Sequence, residues 1–133
     1  MRDASTVFNF TCAVVGSFVG IWAGLTPVIQ LFLISIAFDI ITGVLASLKN
    51  GIRLDSSISG PGLLMKLGEL SAVAFLTIVG ANPLINLPLG EIAAGALFAH
   101  ETLSIVENLA AVNVKIREIA GPLLNRFSTP TGS

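Results

Sequence analysis

The chain has 133 residues, of which 53% are hydrophobic and 11% charged, and its formal net charge is −1. Soluble domains carry about 25% charged residues, and a chain this short cannot cover so much apolar surface with polar groups. Water as the only solvent is therefore excluded, and the near-zero charge leaves no basic footprint for nucleic acid.

The first apolar run spans residues 7–25. At ~1.5 Å rise per residue it is long enough to cross a ~30 Å hydrocarbon core. Arg2 in front of it has the look of a signal peptide. Asp3 beside that arginine, the length of the run and the lack of a small-x-small site after Trp22 argue against cleavage. Within the run, Cys12, Gly16, Gly20 and Gly24 recur every fourth residue and form a ridge of small side chains. Lipid gives helices little reason to hide apolar surface from one another, so close backbone approach through such a ridge supplies the association. The ridge predicts a tight helix contact within the protomer or between protomers, or it reflects only the abundance of glycine in membrane helices.

Thr26-Pro27 ends that run, and a proline suits the first turn of a new helix. The second span covers 27–48 and contains one charge, Asp39. At ~100° per residue, Ser35, Asp39, Thr42, Gly43 and Ala46 share about a third of the helix circumference. Phe38, Ile40, Ile41, Val44 and Leu45 point elsewhere. An ionised Asp at mid-helix costs roughly 2.5–3.5 kcal/mol on insertion scales. Asp39 is therefore expected to face protein or water, either in an interhelical hydrogen bond or along a pore.

The segment from Lys49 to Gly62 is rich in Gly, Ser, Pro and charge and reads as a loop. The third span, 63–81, holds Lys66 and Glu69 in its early turns and is expected to cross with Lys66 snorkelling back to the surface. Asn82-Pro83 and Pro88 bound a short turn. The fourth span, 89–112, is the most polar: His100, Glu101, Ser104, Glu107 and Asn108 fall within about 120° on a helical wheel. That face needs other helices, other protomers or a wet lumen beside it; Lys66 and Glu69 of the third span are candidate partners for it, and a Lys66–Glu107 pair near one surface is expected. Adjacent positions on a helix sit ~100° apart, so His100 and Glu101 are not expected to face each other as a proton relay.

Beyond residue 112, Ile116, Ile119, Leu123 and Phe127 lie roughly on one side of a tail that Pro122 should break or kink. The tail reads as a short interfacial helix on an anionic leaflet, or as a solvated basic segment. The chain thus divides into one transmembrane helical domain, 1–112, and a basic amphipathic tail, 113–133. The basic residues Arg2, Lys49, Arg53, Lys66, Lys115, Arg117 and Arg126 all fall on one side of a four-span arrangement. The positive-inside rule makes that side cytoplasmic, with both termini there.

No catalytic motif is present: GxSxG, P-loop, dinucleotide-binding and HExxH patterns are all missing from the sequence. One cysteine forms no intrachain disulfide, and the single histidine, His100, has no Cys or His neighbour at ligand spacing. Neither an enzyme nor a cofactor or metal centre is expected.

Three groups of residues carry a resemblance. Asp39-Ile40-Ile41-Thr42-Gly43 with Ala46, then Gly62-Leu63-Leu64-Met65-Lys66, then Glu101-Thr102-Leu103-Ser104-Ile105-Val106-Glu107-Asn108-Leu109 stand in order. Together they resemble the phage lysis/toxin-secretion holins, which include holins of Gram-positive phages and holin-like toxin-release proteins. The likeness covers roughly residues 33 to 112. That family often has two lysines where this chain has Met65-Lys66, and often a Gly and a Pro-rich segment where Asn113-Val114-Lys115-Ile116 stands here. The resemblance implies an all-α polytopic protein of the bacterial cytoplasmic membrane. Such a protein associates with itself and opens lesions through which an endolysin or toxin leaves. A small channel or transporter, or an antiholin or accessory subunit, would suit the same intramembrane carboxylates and glycine ridge.

Overall fold

A computed structural model describes residues 4–51 and 56–128. Arg2, Arg53 and the last five residues lie outside the described residues. Among those described there are five helices and no strand: α1 (Ala4–Gly24), α2 (Pro27–Lys49), α3 (Ser56–Gly80), α4 (Leu89–Val112) and α5 (Val114–Ser128). Four of them contain segments long and apolar enough to cross a bilayer: Ser5–Gly24, Pro27–Lys49, Gly60–Gly80 and Leu89–Val112. α3 begins earlier than the expected 63, and Pro61 lies inside it. α5 likewise runs through Pro122, where a break or kink was expected.

α4 is the hub, packing on α2, α3 and α5. Val28 lies 3.8 Å from where a Cβ on Gly95 would stand, and Lys49 donates from Nζ to the Val112 carbonyl. Low-numbered ends meet low-numbered ends, so α2 and α4 run parallel. Thr77 sits against Gly90, and Lys66 meets Glu101, so α3 runs antiparallel to both. This is the alternation that consecutive crossings of a membrane produce.

The interior is layered along the helix axes. At one end Ile29, Phe32 and Ile36 of α2, Val73 of α3 and Ala94 of α4 form an apolar core, with Leu70, Leu97 and Phe98 against it. The charged and amide side chains come next. At the far end Lys49 Nζ donates to the Val112 carbonyl, the last of α4, at the terminus where helix-dipole attraction favours a cation. Asn113 caps the following helix: Lys115 N–H donates to its Oδ1 at 2.9 Å.

The α3–α4 turn is tightly specified. Leu84 N–H donates to Asn82 Oδ1 at 3.0 Å, Leu87 N–H to the Gly80 carbonyl at 3.2 Å, and Asn86 takes φ +44°. Asparagine tolerates that left-handed region better than most residues. Gly90 faces Thr77 so closely that a Cβ there would lie 2.9 Å from the Thr77 Cα. Gly90→Val is therefore expected to overpack the hairpin and cost about 1–3 kcal/mol. Thermal unfolding of the detergent-solubilised protein, followed by circular dichroism, measures the loss.

α1 stands apart. From Ser5 to Gly24 its residues are exposed except Trp22, and its link to the bundle is local: Gln30 Nε2 donates to the Trp22 carbonyl at 2.8 Å. Lipid or another chain must cover it.

Candidate functional site

The polar layer gathers residues from three helices. On α2, Ser35, Asp39, Thr42 and Ala46 are buried, while Phe38, Ile40, Ile41 and Leu45 are exposed. Ser35 Oγ returns to the Phe32 carbonyl at 2.7 Å and Thr42 Oγ1 to the Asp39 carbonyl at 3.1 Å. These local bonds satisfy hydroxyls that lipid cannot. Asp39 is left with its carboxylate pointing across the bundle.

Lys66 on α3 meets that carboxylate. Its Nζ lies 2.9 Å from Asp39 Oδ2 and also pairs with Glu101 Oε2 on α4. Glu101 is 0% exposed and ranks with Phe32 as the most deeply buried large side chain among the described residues. The ammonium is thus bracketed by two carboxylates. Glu101 stands about 18 Å along α4 from Leu89, near mid-depth for a helix that crosses the bilayer. Lys66 turns inward, where snorkelling towards a surface was expected. The reason is electrostatic: two buried anions within reach outweigh the gain of a water contact. Its expected partner Glu107 is exposed.

Asn108, about two helical turns further along α4, completes the layer. Its Nδ2 donates to Asp39 Oδ1 at 3.1 Å and to Thr42 Oγ1 at 3.3 Å. Gly43 sits beside it, and a Cβ there would be 3.6 Å from Asn108 Nδ2. Asn108→Ala strips one donor from a carboxylate that keeps its lysine. We expect a loss of about 1 kcal/mol in thermal unfolding.

The polar sector of α4 is wider than its contact with α2 and α3, and it splits accordingly. Glu101 is buried and Ser104 and Asn108 are half-buried, whereas His100 and Glu107 at the sector's edge are exposed. His100 is nevertheless close to Glu101: its Nδ1 lies 3.6 Å from Glu101 Oε1 and 3.9 Å from Glu69 Oε1. The imidazole and the long carboxylate arms bridge the ~100° between neighbouring positions. Glu69, half-buried on α3, meets the polar face of α4 as expected, and the α3–α4 register decides that His100 is the residue it meets there.

The expected ridge of α1 touches nothing in its own chain. Cys12 is exposed, and a Cβ at Gly16, Gly20 or Gly24 would find no atom within 4 Å. Lys49, Lys115 and Arg117 lie at the shared end of α2 and α4, and Arg126 in the last turn of α5. On α5, Val114, Ile119 and Leu123 are exposed apolar side chains.

The profile of the bacteriophage holin family matches residues 13–128. The chain belongs to the bacteriophage holin family. The match takes in most of the chain, from within α1 to the end of α5, so this holin-family chain carries the family pattern over the whole bundle and its tail. Compared with curated proteins and with solved structures, it has no match. With four long apolar helices, it is a multi-pass membrane protein.

Proposed function

We propose that this protein is a holin of the bacterial cytoplasmic membrane. It accumulates with both termini in the cytoplasm, associates with copies of itself, and opens lesions through which an endolysin, or another cytoplasmic protein such as a toxin, reaches the cell wall. The observation that carries this reading is the packing of the half-buried Lys66 between the buried carboxylates of Asp39 and Glu101 within a single chain. A protomer folded this way hides the Asp39 and Glu101 carboxylates that would wet a lumen, and leaves His100 and Glu107 at the edge of the α4 polar sector exposed. The α1 ridge is left open to a second copy. When copies crowd together, contacts between protomers replace those within a protomer, and the charged layer becomes the lining of a hole. Lys49, Lys115, Arg117 and Arg126 serve as interfacial anchors on the anionic inner leaflet.

Inducible expression in a bacterial host, with and without a co-expressed endolysin, tests the reading. The expected result is an abrupt loss of viability from the protein alone and lysis only with the endolysin. Passage of ions or small solutes without passage of endolysin would identify a channel or transporter. No effect of the protein alone would identify an antiholin or accessory subunit.

A further inference from the structure

The charged layer does not balance. Asp39, Glu69 and Glu101 bring three carboxylates to the α2–α3–α4 interior, and Lys66 brings one ammonium. Lys66 is fully engaged by Asp39 and Glu101 Oε2. On the other side of Glu101, the Oε1 atom is buried and accepts no hydrogen bond, although its side chain is 0% exposed. Glu69 Oε2 is also buried without a hydrogen-bond partner. Each such atom is strongly destabilising away from water unless something with positive charge or a proton meets it.

What stands opposite these oxygens is an imidazole. One ligand atom each from Glu69, His100 and Glu101 lies within 4.8 Å of the other two. His100 Nδ1 is 3.6 Å from Glu101 Oε1 and 3.9 Å from Glu69 Oε1. Bonds of ~2.0–2.2 Å in a tetrahedral site put donor atoms about 3.4 Å apart, so small side-chain rotations close the set. The remaining position faces the outside of the bundle beside His100, whose side chain is 67% exposed. One imidazole nitrogen with two carboxylate oxygens suits zinc-type divalent ions.

We propose that Glu69, His100 and Glu101 form a binding site for a divalent transition-metal cation joining α3 to α4. A +2 ion there cancels the two negative charges that Lys66 leaves over, and the whole layer becomes neutral. The ion also locks two helices of the bundle together. The inference is independent of lesion formation, since it concerns only the folded protomer.

Cobalt(II) alone is the probe, added to the full-length untagged protein in detergent micelles. The expected result is one ion per chain, a visible d–d absorption, competition by zinc and a raised melting temperature. His100→Ala alters an exposed side chain and is expected to fold normally, as is Glu69→Gln; each should weaken binding at least tenfold and remove the thermal shift. Cys12→Ser should bind as the parent does, which separates this site from a thiolate. Absence of the absorption in folded parent protein, or parental affinity in both His100→Ala and Glu69→Gln, overturns the proposal.

Discussion

Lys66→Met will unfold the bundle more than any other single exchange at the charged layer. The substitution keeps the length of the side chain and removes its charge. Asp39 retains Asn108 as a donor, but Glu101 loses its cation while buried at 0% exposure. Breaking a buried ion pair by removing one partner costs about 3–5 kcal/mol, because the remaining charge is stranded. The expected readouts are a large fall in the melting temperature, reduced accumulation in membranes, and altered lysis timing in the expressing host. The triple variant Asp39→Asn, Lys66→Met, Glu101→Gln removes all three charges together. It should recover much of the lost stability, since replacing a whole buried ionic set is often close to neutral. A parental melting temperature for Lys66→Met alone would show that the three charges are not packed against one another in the membrane.

The second large effect concerns association. Cys12 is the only cysteine and lies on the same ridge as Gly16, Gly20 and Gly24. A disulfide needs its two Cα atoms roughly 4.4–6.8 Å apart, a separation reached only if two α1 helices meet through their small residues. Oxidation of membranes holding the parent protein is expected to yield Cys12-linked dimers. Gly20→Leu, placed two helical turns away, fills the groove and should reduce the dimer several-fold while delaying lysis by the same chain. Because α1 makes so little contact with the bundle, the variant is expected to melt as the parent does. A normal dimer yield from Gly20→Leu would move the self-contact to another face.

The four spans were legible because each is a long apolar run bounded by Gly, Pro or charge, and the helices end within a few residues of those signals. The polar face of α2 could be drawn from the sequence as well, since positions three and four apart fall on one side of a helix whatever packs on it. The partners of Lys66 were not legible in that way. A lysine can reach outward to water or inward to an acid, and only the register of α3 on α4 decides which. A signal for that register did exist. The tight Asn82–Pro88 turn makes α3 and α4 a hairpin, so residues at similar distances from the turn face each other, and Lys66 and Glu101 are such residues. Glu69 was expected against the polar face of α4, but His100 as its particular neighbour was not, for the same reason. Their chemistry was visible, and their juxtaposition depended on counting from the turn.

That same turn bears on how the protein enters the bilayer. The segment between α3 and α4 reads Ala81-Asn82-Pro83-Leu84-Ile85-Asn86-Leu87-Pro88 and contains no ionisable side chain. Its amide groups are already engaged locally: Leu84 bonds to the Asn82 side chain, and Ile85 and Asn86 bond to the Asn82 carbonyl. When a helical hairpin is threaded through acyl chains, its tip bears the heaviest dehydration penalty, and here that tip drags no charge and few bare peptide groups. The pair can therefore be translocated in one step, with no basic residue to retain it on the side of synthesis.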